Sequence, residues 1–403
     1  MRIVLLNQFF ASEPVATAQL SSDLAQCLAR EHDVTVICAS AASETASWDR
    51  QHERTISVLR TRGFRFSHGR MSRLASYISY VAGTIWCGLS QPRADIYLAL
   101  TTPPVLSVIA FGFALLRGGR HVIWEMDVYP DIAIDIGYFK RGGIIDRVVG
   151  VILDWSRRHA SAIIVLGEDM KKRLIARGIP DEKIHIAENW ADGEEIQPKR
   201  LASGPLVIEY LGNLGLAHEI DTVADVIERL RNEPSFQFVF IGGGARRERF
   251  EAVCRDNGIQ SVSFKPCCDR TEMSQSLGES HLGLVTQLPQ TVGSVVPTKF
   301  YSIMAAGRPI LYIGPEESTP ARHIKRFHCG WQIAPGDVTG LENLLIELNR
   351  KRHLISEAGE RARIAFEQNF DRSIGVDRIL QVIEAADHST ERVPKLSPSA
   401  AGD

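Results

Sequence analysis

The chain has 403 residues, 44% of them hydrophobic and 23% charged, with a formal net charge of −2. That length exceeds one ordinary core and predicts two or three domains, and the near-neutral balance speaks against a dedicated nucleic-acid binder, which carries a basic excess. Seven cysteines without metal-ligand spacing offer no disulfide framework and suit a reducing cytosol.

The opening stretch "RIVLLNQFF" reads as a strand, because its apolar run is too short for a signal peptide. A loop, "ASEPVA", leads into "TAQLSSDLAQCLAR", where Leu20, Leu24, Cys27 and Leu28 recur on one helical face. With the next strand, "HDVTVICA", this makes the βαβ unit that opens a parallel, doubly wound sheet. Arg62, Arg65, Arg70 and Arg73 then precede an apolar stretch ending near Trp86 and Leu89, and a second apolar run, "PPVLSVIAFGFALL", follows one strand later. Neither reaches the roughly 18–20 apolar residues of a spanning helix. Two readings stand for them: helices buried against the sheet, or monotopic docking on an anionic membrane surface with the arginines and Trp86 at the interface.

Strands at "ADIYLAL", "HVIWEMD", "SAIIVLG" and "KIHIAEN" continue the first sheet, and the polar, Pro/Gly-bearing stretch 191–205 reads as a linker. The order then restarts: "LVIEYLGN", a glycine turn, the helix "DTVADVIERL" and the strand "FQFVFIGGG". A module that begins twice predicts two nucleotide-fold domains in tandem. Strands at "SVSFKP", "LGLVTQ" and "PILYIG" follow, then two helical stretches, and a tail from 389 with almost no large apolar residue, which reads as disordered.

Three loops of the second domain lie at the carboxyl ends of strands, where ligands bind in open α/β folds. "YLGNLG" supplies Gly212 and Gly215, and "FIGGGARRE" supplies Gly242, Gly243 and Gly244 followed by Arg246. "VVPTKF" supplies Val296, Pro297, Thr298 and Lys299, with Thr298 the predicted N-cap of a short helix ended by Gly307 and Pro309. Taken alone, Lys299 is equally a solvated charge on a capped helix. Three such loops in one domain converge on one crevice, and a diphosphate held there is the economical explanation. In the first domain Glu125 and Asp127 stand at a strand end, spaced to point the same way, either as cleft carboxylates or as loop hydrogen-bonders. No D-x-D occurs in either segment, so protein cations rather than a metal are expected to neutralise a leaving diphosphate.

Together with "QFFASEPVATAQLSSDLA", "EMDVYPD" and "VLGEDMKKRLIARGIPDEKIHIAENWAD", these loops resemble the GT-B glycosyltransferases of family 4, in the branch that builds surface polysaccharides and lipid-linked oligosaccharides. The resemblance runs from residue 2 to about 385. It implies an α/β fold of two Rossmann-like, doubly wound domains facing across a cleft. Residues 1–192 would bind the acceptor and 206–374 the nucleotide-sugar, with a helix at 375–388 returning to the N-terminal domain and a tail at 389–403. It further implies retaining transfer without metal or cofactor. The implied partners are a nucleotide-sugar donor and a glycan or polyprenyl-linked acceptor, with the protein in the cytoplasm, peripheral on the inner face of the plasma membrane.

On this resemblance Gly212, Asn213 and Gly215 match the donor-phosphate loop, and Gly242, Gly243 and Gly244 the nucleotide-facing glycine loop. Pro297, Thr298 and Lys299 match the P-[ST]-K element beside the diphosphate, with Val296 before it and Arg246 a further cation. Asp127, with His218, falls to positioning the acceptor hydroxyl or the sugar, and Glu13 and Glu125 to the cleft. The family's E-x7-E pair falls on Ser294 and Ser302, so Ser302 offers the ribose only a single weaker contact. Asn213 and Leu216 replace an Arg and a Lys, and Val15 replaces a glycine. These departures carry the alternative of a catalytically weak or inactive subunit that binds nucleotide or glycan. An epimerase on the same scaffold lacks its acidic and histidine sets here.

Overall fold

Short apolar runs that end at glycine become central strands, and the stretches with 3.6-residue periodicity become the helices that cover them. The computed structural model describes residues 1–11, 13, 15–39, 56–61, 70–267 and 270–388. The chain divides into two units. The first comprises Met1–Ile134, Phe139–Ala187 and the chain from Val376 on, and the second Asp135–Tyr138 and Glu188–Gly375.

In chain order the first part runs β1 (Arg2–Leu6), α1 (Ala16–Leu28), β2 (Asp33–Ala39), β3 (Ile56–Thr61), α2 (Arg70–Ser90), β4 (Ile96–Leu100) and α3 (Leu106–Arg117). It continues with β5 (Arg120–Glu125), α4 (Asp131–Asp135), α5 (Ile144–Arg158), β6 (Ala162–Val165), α6 (Glu168–Ala176) and β7 (Ile184–Ile186). Its seven strands form one parallel sheet in the order β3-β2-β1-β4-β5-β6-β7. The second part runs β8 (Leu206–Leu211), α7 (Asp221–Arg229), β9 (Phe236–Ile241), α8 (Arg247–Asp256), β10 (Val262–Lys265), α9 (Arg270–Glu279) and β11 (Leu282–Thr286). Then follow α10 (Lys299–Ala305), β12 (Ile310–Ile313), α11 (Thr319–Phe327), β13 (Gly330–Ile333), α12 (Val338–Arg350), α13 (Arg352–Asn369) and α14 (Arg372–His388). Its parallel sheet has the order β10-β9-β8-β11-β12-β13. Each sheet is doubly wound, and strand order reverses beside β1 in one and β8 in the other, which puts a ligand crevice at those carboxyl ends.

Four features differ from the sequence reading. Strands β3 and β13 were not anticipated; both lie at sheet edges with half-buried side chains, so their apolar signal is weak. The long helical pattern after β13 is two helices, broken at Lys351 (φ −114°, ψ 60°). Stretch 191–205, expected to be a linker, is fastened to the second unit. Ala191 bridges to Asp371, Arg363 donates to Ile196 O, Arg308 to Lys199 O, and the His281 ring meets Ala202 O. Finally, α14 starts at Arg372 rather than 375, and its turns from Val376 bury Val376, Ile379, Ile383 and Ala386 in the first unit, where Arg120 donates to Asp387 O.

The two apolar runs that raised the membrane question are α2 and α3. Among the described residues no helix is long and apolar enough to cross a membrane. Arg62, Arg65 and the tail at 389–403 lie outside the described residues, as do the side chains of Arg70 and Arg73.

Candidate active site

Tyr210, the last residue but one of strand β8, is fully buried. Its hydroxyl donates to Asn213 O at 3.0 Å, so the ring is pinned by the loop it precedes. Phe240 stacks on it at 5.8 Å and His218 meets it edge-on at 5.7 Å. Lys299 Nζ lies 3.5 Å from the ring centroid. That ammonium is sealed from solvent and has no hydrogen-bond partner, although the lysine stem is half-buried. Burial holds its pKa well below the ordinary lysine value. A cation over an aromatic face gains about 0.5–2 kcal/mol, less than desolvation costs it, so the group is poised to accept an anion.

The glycine loops meet at this lysine. At Gly212 (φ 114°) a Cβ would lie 3.7 Å from Lys299 Cε and 3.9 Å from Nζ. Gly242 (φ 122°) packs so tightly that a Cβ would overlap the Gly212 carbonyl oxygen, and one at Gly244 (φ 124°) would overlap that of Leu214. The amides of Gly212, Leu214 and Gly242 donate to Ile241 O (2.8 Å), Gly243 O (2.7 Å) and Lys265 O (3.2 Å). Those three amides therefore stitch the loops together and are not free for a phosphate. Asn213 and Gly243 are exposed, Gly215 is half-buried, and nothing stands within 4 Å of a Cβ built on Gly243.

Val296 and Pro297 are buried and seat the corner that delivers Lys299. Thr298 departs from expectation: its backbone is already helical (φ −70°, ψ −27°) and its side chain caps nothing. With only seven residues in α10, the dipole at this corner is weak, and the charge of Lys299 dominates. Gly307 (φ 64°) does end the helix in the left-handed conformation, with its amide on Met304 O. Ser302 is half-buried, one turn beyond Lys299 and on the same face. Ser294 is fully buried and its hydroxyl donates to Thr291 O at 3.0 Å, so it is occupied in a turn.

Of the remaining second-unit residues, His218 places Nδ1 2.9 Å from Thr286 O. A carbonyl only accepts, so Nδ1 carries the proton and Nε2 is the ring's acceptor. Burial foremost, then the charge of Lys299, pushes its pKa down to about 3. The ring is therefore neutral near pH 7. Arg246 is half-buried, 4.0 Å from the Asp221 carboxylate, and its charge also lowers His218. Arg247, which follows Arg246 after the three glycines, donates to Gly242 O and braces the glycine loop.

In the first unit the two acids separate. Glu125 is fully buried and gripped by Arg157 through two bonds of 2.5 and 3.2 Å, so it is a structural anion and not a cleft carboxylate. Glu125 and Asp154 together outweigh the burial of Arg157 and hold its pKa above the ordinary value. Asp127 is half-buried just past β5, and its amide and that of Met126 both donate to Thr101 Oγ1 at 3.2 Å. Burial, with the neighbouring Glu125 second, pushes its carboxyl up to about 6. Glu13 is half-buried in the β1–α1 loop, where its carbonyl accepts from the Val15 amide at 2.8 Å. Among the described residues no group of three or more His, Cys, Asp or Glu is placed to hold a metal.

Two parallel, doubly wound sheets in one chain, with glycine bends and a buried lysine at the carboxyl edge of the second, define a GT-B-type nucleotide-fold protein. Residues 16–190 match the Glycosyl transferase 4-like domain. The probable glycosyltransferase WbjE of Pseudomonas aeruginosa is 25% identical over 299 residues, 71% of this chain and 73% of that one. The putative colanic acid biosynthesis glycosyl transferase WcaI of Escherichia coli is 23% identical over 210 residues, 48% of this chain and 51% of that one. Among solved structures, Anabaena HepE in complex with UDP and glucose shares the fold at 16% identity and a TM-score of 0.70, covering 96% of this chain and 100% of that one.

Proposed function

We propose that the protein is a retaining, metal-independent glycosyltransferase of surface polysaccharide assembly. It moves a sugar from a nucleotide diphosphate donor, held by the second unit, to a lipid-linked or growing glycan acceptor on the first. The observation that carries this reading is the ammonium of Lys299, buried without a hydrogen-bond partner beside the bends at Gly212 and Gly242. A diphosphate supplies the missing counter-charge. As the bond from the sugar C1 to the β-phosphate oxygen breaks, negative charge grows on that oxygen, and Lys299, with Arg246 near it, stabilises the growing charge. The acceptor oxygen forms the new bond to C1 on the same face, and its proton passes to the departing phosphate. Asp127 and His218 orient the hydroxyls. The names of WbjE and WcaI support the reaction class and pathway, and the UDP and glucose in HepE make UDP-sugars the first donors to try.

A thermal-shift panel of nucleotide-sugars tests the proposal, because a ligand selective for the folded state raises its melting point. A shift with at least one donor is expected, and it should be lost or weakened by about tenfold or more in Lys299→Met. If no nucleotide-sugar or nucleoside diphosphate moves the wild-type transition, the donor reading falls. The binding-only alternative draws on Ser294, whose hydroxyl is occupied where the family has a glutamate. Release of nucleoside diphosphate by the pure protein with donor and acceptor rules it out.

A further inference from the structure

Tyr210, Phe240 and Phe264 stand in register on β8, β9 and β10. Such neighbours share one face of a parallel sheet, so their rings lie side by side. Tyr210 stacks with Phe240 at 5.8 Å and Phe240 with Phe264 at 5.5 Å, and Phe250 of α8 closes edge-on against both phenylalanines. Each end of this aromatic ladder carries a cation. Arg247 lies 5.8 Å from the Phe264 centroid, and Lys299 Nζ lies 3.5 Å from that of Tyr210. The two ends differ in what else the cation has. Arg247 also donates to Gly242 O and faces Glu251 at 3.5 Å. Among the described residues Lys299 Nζ has no hydrogen bond and no acid beside it, so the ring alone answers its charge.

Tyr210 is held from three directions, by Asn213 O at its hydroxyl, by the stack with Phe240 and by the edge of His218. The other groups nearby supply no counter-charge. His218 is neutral near pH 7, burial raises the Tyr210 hydroxyl well above its ordinary value, and Arg246 is a second cation, 4.0 Å from Asp221. A tyrosine that served packing alone would carry an aliphatic neighbour on its face, which is far cheaper to bury than an ammonium. We propose that Tyr210 is a positioning residue for Lys299, its ring keeping the buried amine protonated and fixed beside Gly212 so that it meets a diphosphate as a cation. That use of the charge rests on the donor reading above, whereas the pairing of ring and amine is tested without a ligand. Two effects oppose each other at this amine. Burial favours the neutral form, which would offer a phosphate oxygen no charge. The negative face of the ring favours the ammonium, by an amount equivalent to about one pH unit.

The test is carbon-13 NMR of the full chain labelled at lysine Cε, titrated from about pH 6 to about pH 10, with the Lys299 signal identified by its loss in Lys299→Met. In the wild type the Lys299 Hε protons should resonate upfield of those of other lysines, because the end of the side chain lies over the Tyr210 ring. Tyr210→Leu should lower the Lys299 pKa by about one further unit. Tyr210→Phe, which keeps the ring and loses the tether to Asn213, should restore it. The thermal-shift response to a donor should follow, its alkaline limit moving down in Tyr210→Leu and staying at the wild-type pH in Tyr210→Phe. Wild-type Lys299 protons without an upfield shift overturn the proposal, whether or not Tyr210→Leu folds. So does a Tyr210→Leu protein whose Lys299 pKa equals or exceeds that of the wild type. A response to donor weakened equally at every pH overturns it too, being the mark of a ring that only packs. Failure of the donor reading shows separately, in the nucleotide-sugar panel, because the NMR titration contains no nucleotide.

Discussion

Lys299 and Asp127 each keep a charge where water no longer supports it, and each ties stability to chemistry. The Lys299 pKa is lowered by burial, so the folded protein gives up that proton more readily than the unfolded chain. Wild-type stability therefore rises with pH toward the ordinary lysine value. Lys299→Met should stabilise the ligand-free protein by about 1–3 kcal/mol at neutral pH, a gap that narrows in alkali, while abolishing the nucleotide response. Denaturant melts at several pH values check this. Asp127 runs the other way, its carboxyl raised from 3.8 to about 6. Its contribution is fully present below the unfolded value and is lost as pH rises through about 6. Asp127→Asn should match wild type near pH 4 and exceed it by about 1–2 kcal/mol above pH 7, after allowance for solvent screening. If ionised Asp127 orients the acceptor, wild-type transfer climbs with an apparent pKa near 6. Lys299 was legible in the sequence because Pro, Thr and Lys stand together at a strand end. Tyr210 was not, since an aromatic in a strand reads as core until the lysine is seen on its face. Nor was the partner of Glu125, which lies 32 residues on at Arg157.

The loops after β8 and β9 act as one element because their glycines let two backbones touch. Gly242→Ala adds a Cβ against the Gly212 carbonyl at a φ of 122°, so the loops must part. A loss of about 2–4 kcal/mol in stability is expected, together with weaker nucleotide binding from a displaced Gly212. Urea melts and the donor panel check both, and an unchanged protein would mean the contact is dispensable. The central strands of both sheets were legible as apolar runs bounded by glycine. Strands β3 and β13 were not, because an edge strand has one neighbour and half-buried side chains. Periodicity also reports that α5 has an apolar arc but not which way that arc faces. Its direction follows from Arg157, which must turn inward to reach Glu125.

At the scale of the whole chain, the turns of α14 from Val376 complete the first unit after the second has been built. A chain ending at Gly375 should keep the nucleotide response of the second unit. It should cost the first unit about 4–8 kcal/mol through loss of the buried Val376, Ile379 and Ile383 side chains. Calorimetry with and without nucleotide separates the two effects, and an unaltered first transition would show that these side chains lie outside its core. The tandem organisation was legible because the strand, glycine turn and helix begin twice. The join was misjudged because polar composition at 191–205 does not reveal that Arg308 and Arg363 hold the segment down. The placement of α14 also has a consequence during synthesis. Val376 is made some 190 residues after Ala187. At about 5–20 residues per second, the nascent first unit must wait roughly 10–40 s with a hydrophobic seam unsealed. Ribosome-bound chains halted before α14 should accordingly recruit chaperones, and release them once Ile383 has docked.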